Sequence, residues 1–276
     1  MNIYDYFNPV DNQIIEKCHF SDAEARLISI DKHESKKTIR PTEQFDIAII
    51  GVPEDRNSRK QGSAMAPDAI RTFLYSLYKP VEKINIVDLG NLKISRSVNN
   101  TIFGLRDIVI FLLQNNVIPL IIGGTKFLNY ACYKAYEALE KRINIVSINS
   151  KVELAHPAKE PSFIAKIIED SGKYLFNFTN LAYQSYLSSP REVELLEDLH
   201  FDAVRLGQVQ SKIMENEPII RDADILSFDI NAIKQSEAPA QNYPSPNGLY
   251  SAEACQLAKY AGLSDRLSCF GIYEVI

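Results

Sequence analysis

Ile225-Leu-Ser-Phe-Asp-Ile-Asn231 is a short apolar run that ends in a carboxylate, an apolar residue and an amide. Side chains alternate faces along a strand, so a strand here carries Asp229 and Asn231 to the same side at its C-terminal end. Open α/β sheets keep their sites at that end. Two further apolar runs close in comparable polar clusters. They are Ile118-Pro-Leu-Ile-Ile-Gly-Gly-Thr-Lys126 and Ile143-Asn-Ile-Val-Ser-Ile-Asn149-Ser-Lys151-Val-Glu153. Three strand ends converging on one pocket is the arrangement these runs predict.

Working outward, the strands alternate with helices. Residues 1 to about 44 read as polar and irregular, with one helix from Ser21, its N-cap, to about Ile30. The charged run Asp31–Arg40, with His33, reads as a solvated loop. Strands are expected at Asp46–Pro53, Ile84–Gly90, Val117–Gly123, Ile143–Ile148, Tyr174–Thr179, Ala203–Gly207, Ile225–Ile230 and Leu267–Val275. A polar loop, Glu54–Gly62, follows the first of them. The helix opened by Pro67 has Ile70, Phe73, Leu74, Leu77 and Tyr78 on one expected apolar face. Later helices are expected at Thr101–Asn115, Tyr130–Lys141, Pro161–Asp170, Pro190–Leu199 and Ser251–Ala261, the last with Ser251 as N-cap. Alternation of this kind, with near-continuous apolar strands, argues for a mostly parallel sheet covered on both faces. No linker divides the chain, so a single domain is expected.

Bulk properties exclude some partners. A net charge of -5 gives no electrostatic reason to expect nucleic acid or an anionic membrane. No apolar run approaches the roughly 20 residues that span a bilayer. Met1–Pro9 lacks the basic and apolar regions of a signal peptide. The four cysteines, Cys18, Cys132, Cys255 and Cys269, form no C-x-x-C pair. They read as reduced thiols in a cytoplasmic protein.

The motifs resemble those of the ureohydrolases: arginase, agmatinase and, most closely, formiminoglutamase. Gly51-Val-Pro53, Gly62 and Pro67-Asp-Ala-Ile-Arg71 resemble the N-terminal signature of that family. Gly123-Gly-Thr-Lys126 sits where the family has Gly-Gly-Asp-His, and Asn149-Ser-Lys151-Val-Glu153 where it has Asp-Ala-His-x-Asp. Ser227-Phe-Asp229-Ile-Asn231 resembles Ser-x-Asp-x-Asp, and Ala238-Pro239 and Pro246-Asn-Gly248-Leu continue the match. Ile272-Tyr-Glu274-Val275 resembles Glu-Val-Asn-Pro. The resemblance implies a three-layer α/β/α arginase-like fold, with an N-terminal extension at residues 1–44 and the ureohydrolase-like domain at 45–276. The chain stops at Glu274-Val275-Ile276 in what reads as a strand, so the domain is expected to lack the family's C-terminal helix, either by truncation or because its terminal layer comes from elsewhere.

In active members, the resemblance implies, two manganese ions at the strand ends are held by two His and four Asp, and a bridging hydroxide attacks a guanidinium or formimino carbon. This sequence departs at nearly every ligand position. Lys126 and Lys151 replace histidines, Asn149 and Asn231 replace aspartates, Glu153 is a conservative swap, and Asp229 is unchanged. An ammonium has no lone pair to give a metal. The sequence therefore predicts no metal cofactor, with Lys126 and Lys151 standing in for the cations in buried ion pairs with Asp229 and Glu153. Glu274 matches the glutamate that accepts hydrogen bonds from the substrate in the family, and here it reads as a third partner for the lysines. His156 and His200 read as a loop residue and a helix-end residue, and Lys234 as the mark of a rebuilt turn.

The function expected from this is a catalytically degenerate ureohydrolase-fold protein with a protein-binding or scaffolding role, its partner another protein or a second copy. One alternative is a hydrolase of amidine or guanidino C–N bonds with an altered site, or a metal-free one using Lys126 or Lys151 as base or nucleophile. Another is a sensor of a cationic small molecule through Glu274.

Overall fold

The structure is a computed structural model that describes residues 3–17, 27–30, 45–58, 60–78, 84–154 and 162–276. The first half of the chain comprises β1 (Phe7–Asn8), α1 (Asn12–Lys17), β2 (Ile28–Ile30), β3 (Ile47–Gly51), α2 (Ala66–Leu74), β4 (Ile86–Leu92), α3 (Val98–Gln114), β5 (Ile118–Ile122), α4 (Asn129–Ala138) and β6 (Ile143–Ile148). The second half comprises α5 (Phe163–Glu169), β7 (Leu175–Tyr183), α6 (Pro190–Asp198), β8 (Asp202–Arg205), α7 (Leu206–Ser211), α8 (Glu217–Arg221), β9 (Ile225–Asp229), α9 (Ser251–Gly262) and β10 (Cys269–Tyr273). Among the described residues these strands form one sheet in the order β1-β4-β3-β5-β10-β9-β6-β7-β8, with β2 also on β4. Every pairing is parallel except that of β1 with β4.

The central strands lack solvent-facing positions. All of β6 and β9 is buried, as expected for parallel strands covered by helices on both faces. One core packs α3, α4 and α5 on one side of the sheet, with Leu105, Ile108, Tyr133 and Ile167 among its residues. The other packs Leu226, Ile148, Ile220, Leu257 and Tyr260. β10 lies between β5 and β9. The C-terminal ends of β5, β10, β9 and β6 are therefore successive neighbours, which places the polar residues that follow them together.

The N-terminal segment differs from its expected irregularity. Ile28–Ile30, expected at the end of a helix, is a strand: its Ile-Ser-Ile alternation buries Ile28 and exposes Ser29. β1 and β2 lie one after the other along the outer edge of β4, at Leu92–Asn91 and Ile86–Asp88. Ile3 and Phe7 enter the main core. Residues 21–26 of the expected helix, the charged run Asp31–Arg40, His33, Cys18 and His156 lie outside the described residues.

Other differences are local. α2 ends at Leu74 and turns Arg71 inward, leaving Phe73 and Tyr78 exposed. β8 stops at Arg205, and Leu206–Gly207, expected in that strand, begin α7 instead. Ser251 is the first residue of α9 rather than its cap; Tyr250 precedes it, and its N–H donates to Glu253 Oε2 at 2.8 Å. His200 lies just past α6, with a φ of 61°. β10 ends at Tyr273, and Val275 makes an antiparallel bridge to Gln241.

Candidate functional site

Lys126 stands at the centre of the strand-end cluster. β5 reaches it through Gly123 and Gly124, whose φ angles of 85° and 69° suit glycine and strain other residues. A Cβ on Gly123 would come within 2.4 Å of Pro67. The Lys126 ammonium lies 2.7 Å from Glu153 Oε2 and 3.0 Å from Asp229 Oδ2. Its backbone N–H donates to Glu274 Oε1 at 2.8 Å. Burial opposes the charge of this lysine, but Glu153, Asp229 and Glu274 outweigh it and hold the group above the ordinary lysine range. A base or nucleophile must be free of its proton, so Lys126 is unsuited to either role.

Asp229 and Asn231 do share a side, through a turn instead of strand pleating. The strand ends at Asp229, and Ile230–Ala232 is a single 3-10 turn. Asp229 Oδ1 accepts from the backbone N–H of Asn231 at 2.8 Å and from its side-chain amide at 2.7 Å. Asn231 Oδ1 in turn accepts from the Tyr243 N–H at 2.8 Å. Asp229 is 1% exposed, and both its oxygens are engaged.

The third strand end is arranged less as expected. Asn149 is buried; its Oδ1 accepts from the Lys151 N–H at 3.1 Å and its amide reaches Glu153 at 3.4 Å. Lys151 makes no ion pair among the described residues. Its ammonium sits 4.5 Å from the ring centroid of Tyr243, a cation–π contact. The expected balance of two lysines against two carboxylates is corrected accordingly: one lysine faces three carboxyl groups. Glu274 absorbs the excess. It is 5% exposed and has a φ of 66°, and burial together with the charge of Asp229 pushes its carboxyl up to about 7. Its Oε2 accepts from Asn242 Nδ2 at 2.8 Å.

Two residues of the cluster escaped the sequence reading. Asn129 donates to the Lys126 carbonyl at 2.8 Å and to Ser227 Oγ at 2.7 Å, tying the start of α4 to β9. Asn242 joins Glu274 to Lys60, whose ammonium donates to the Asn242 carbonyl at 3.1 Å. Neither asparagine, one opening α4 and one in a polar loop, carries a sequence signal for its role. Asn242 Oδ1 is buried without a hydrogen-bond partner. Lys234 stays outside the cluster, 3.6 Å from the ring centroid of Tyr250.

A mostly parallel sheet with acidic and basic side chains gathered at its central strand ends defines an α/β protein of the strand-end-site class. More particularly, the chain belongs to the arginase family, which it matches over residues 45–275. It is 25% identical over 256 residues to formimidoylglutamase of Bacillus subtilis (strain 168), covering 83% of this chain and 79% of that one. The crystal structure of the B. subtilis formimidoylglutamase has the same fold, with a TM-score of 0.78 at 19% identity, covering 93% of this chain and 86% of that one. So does Trypanosoma cruzi formiminoglutamase with Mn2+, with a TM-score of 0.75 at 22% identity over 84% of this chain and 85% of that one.

This last finding overturns the expectation of a chain without a cofactor, because the fold it shares is one that holds manganese. The donors in this chain are a separate matter. Glu153, Asp229 and Glu274 supply oxygens of the right kind, but the ammonium set between two of them offers no lone pair. Among the described residues no group of three or more His, Cys, Asp or Glu is placed to hold a metal ion. As arranged, the cluster does not fit a pair of divalent ions; a metal would have to displace the Lys126 ammonium. Among the described residues no helix is long and apolar enough to cross a membrane.

Proposed function

We propose that this arginase-family chain keeps the ureohydrolase pocket as a charge-closed structural centre that does not carry out the family's hydrolysis, and that it works by binding a protein partner, either another protein or a second copy. The observation that carries this reading is the Lys126 ammonium held between Glu153 and Asp229 at 2.7 and 3.0 Å. It occupies the place where an amidine hydrolase of this kind needs an activated oxygen nucleophile. Met65, Ala69 and Phe73 support the partner role: they are exposed at spacings of four along α2 and the residue before it, Met65 and Phe73 each 77% exposed.

The test is release of formamide from formimidoyl-glutamate, and of urea from agmatine or arginine, with Mn2+ titrated into the assay. Absence of turnover at saturating Mn2+, with a Met65→Asp, Phe73→Asp variant that loses a captured partner, is the expected result. Manganese-dependent turnover by the wild type overturns the reading and establishes the second one, hydrolysis of a linear amidine with manganese. The relatives favour that second reading, since those this chain resembles over most of its length are formimidoylglutamases.

A further inference from the structure

A second polar crevice lies at the ends of β7 and β8 and shares no residue with the Lys126 cluster. It has a volume of about 370 Å³, within the range of small-molecule sites. Tyr183, Gln184, Tyr186, Arg205, Gln208 and Asn247 are among the residues that line it, and no lining residue is acidic. In a chain of net charge -5, a crevice with one guanidinium and no carboxylate has a distinct polarity.

Its walls are built. The pairing of β7 with β8 shifts between Leu181 and Tyr183, at Ala182, whose φ is 72°. A non-glycine residue adopts that conformation only where its surroundings hold it there. The shift sets Tyr183, which is 4% exposed, so that its hydroxyl accepts from Arg205 Nε at 2.9 Å. That bond orients the Nε edge of the exposed guanidinium, and among the described residues no carboxylate forms a salt bridge with it. Tyr186 is 65% exposed yet held. Its hydroxyl donates to Gln184 Oε1 and accepts from Asn247 Nδ2 at 3.2 Å, while Gln184 Nε2 donates to the Asn247 carbonyl at 3.2 Å. This closed circuit spans about sixty residues of sequence and pins an aromatic ring at the crevice wall.

We propose that this crevice binds a small organic anion with a flat, unsaturated body, its carboxylate or phosphate on Arg205 and its body against Tyr186. A planar guanidinium whose Nε is already engaged can donate from its terminal nitrogens to two oxygens of such a group side by side. A fixed aromatic ring offers a face to a flat partner at little entropic cost. The side-chain amides around them can satisfy further polar groups on the ligand.

Calorimetric or NMR-detected titration tests this, with benzoate and phenyl phosphate as anionic probes, benzamide and benzamidine as neutral and cationic counterparts, and acetate as the anion without a flat body. Saturable binding of benzoate or phenyl phosphate is expected, and the stronger of the two identifies the headgroup. Benzamide and benzamidine should each bind at least about tenfold more weakly, the effect of losing one charge-assisted contact, and acetate should bind more weakly because it lacks a face to set against Tyr186. Arg205→Gln should abolish anion binding, Arg205→Lys should retain part of it, and Tyr186→Leu should weaken it. Unchanged thermal midpoints show that each variant is folded, as the exposure of these two side chains leads one to expect. Lys126→Met should bind the probes as the wild type does. Equal binding of benzamide, unchanged binding by Arg205→Gln, loss of binding in Lys126→Met, or no saturable binding of either anion at millimolar concentration would each overturn the proposal.

Discussion

Two ion-pair clusters sit on this sheet, and they differ in how completely they are closed. At the β4 end, Arg71 and Asp88 are both wholly buried and joined by paired bonds of 2.8 Å. Asp88 also accepts from the Tyr75 hydroxyl at 2.8 Å and the Gly90 N–H at 2.9 Å, and Arg71 reaches Asp68, Asn91 and the Gly90 carbonyl. At the β5–β10–β9 end, Lys126 faces three carboxyl groups, is 19% exposed, and has a neighbour, Asn242, with an unpaired oxygen. The first cluster pairs its one buried carboxylate with a buried cation and uses its hydrogen bonds, while its second acid, Asp68, is half exposed to water. The second has a surplus of acid, which it relieves by raising the proton affinity of Glu274. A closed cluster can lock two elements together; an unbalanced one also responds to pH and to anything that brings charge.

The comparison makes the largest demand on Arg71. Arg71→Leu leaves Asp88 buried without its cation, and a loss of about 3–5 kcal/mol in urea unfolding is expected. If the loss were below that of the Lys126 variant, the contrast would fail. Lys126→Met should cost less, about 2–3 kcal/mol, because Glu153 is 29% exposed and can be hydrated, and the buried Asp229 keeps its two bonds from Asn231. The same change should raise the proton affinity of Glu274 further, read by NMR titration of its carboxyl carbon.

The pH dependence is next, and its sign follows from linkage. The carboxyl of Glu274 lies near 4.5 when unfolded and about 7 when folded. Between those values the native state binds more protons than the unfolded one, so this group's contribution falls as pH rises from about 4.5 to about 7. The fall is complete above the folded value and is of the order of 3 kcal/mol at most. Glu274→Gln should flatten that part of the stability profile; a profile unchanged by the substitution would show that the cluster is already balanced. Smallest of all, Tyr243→Leu removes the ring beneath Lys151 and should cost about 0.5–1 kcal/mol. A larger loss would mean that Lys151 belongs energetically to the cluster after all.

Much of the central sheet could be read from the chain because apolar strand runs bounded by Gly, Pro and Asn are a strong local signal. Ile143–Ile148 coincides with its expected bounds, and Ile225–Asp229 is within one residue of them. The edge was not legible in the same way. Ile28–Ile30 is too short for periodicity to separate strand from helix, and only the open edge of β4 decides it. The inward turn of Arg71 also defeated the expected apolar face of α2, since its partner Asp88 lies on another element. At the site, Asp229, Glu153 and Lys126 were legible from their positions at strand ends, and Glu274 through the resemblance to the ureohydrolases. The place of Lys151 was not, because it depends on Tyr243, far along the chain, and neither residue advertises the contact. Asn129 and Asn242 act through single amide bonds that no spacing encodes.

β1 and β2 bear on how the protein behaves at high concentration. Along the outer edge of β4 they run in opposite directions, one antiparallel and one parallel, so the ladder presented outward is short and broken. An edge of that kind makes a poor template for strands from other molecules. The family match begins at residue 45, after both of these strands. A fragment cut to the matched region would keep its central strands and the Lys126 cluster and yet bare the β4 edge, and turbidity on storage should reveal it as the aggregating form. What lies before the matched residues here covers the edge that the matched residues leave open.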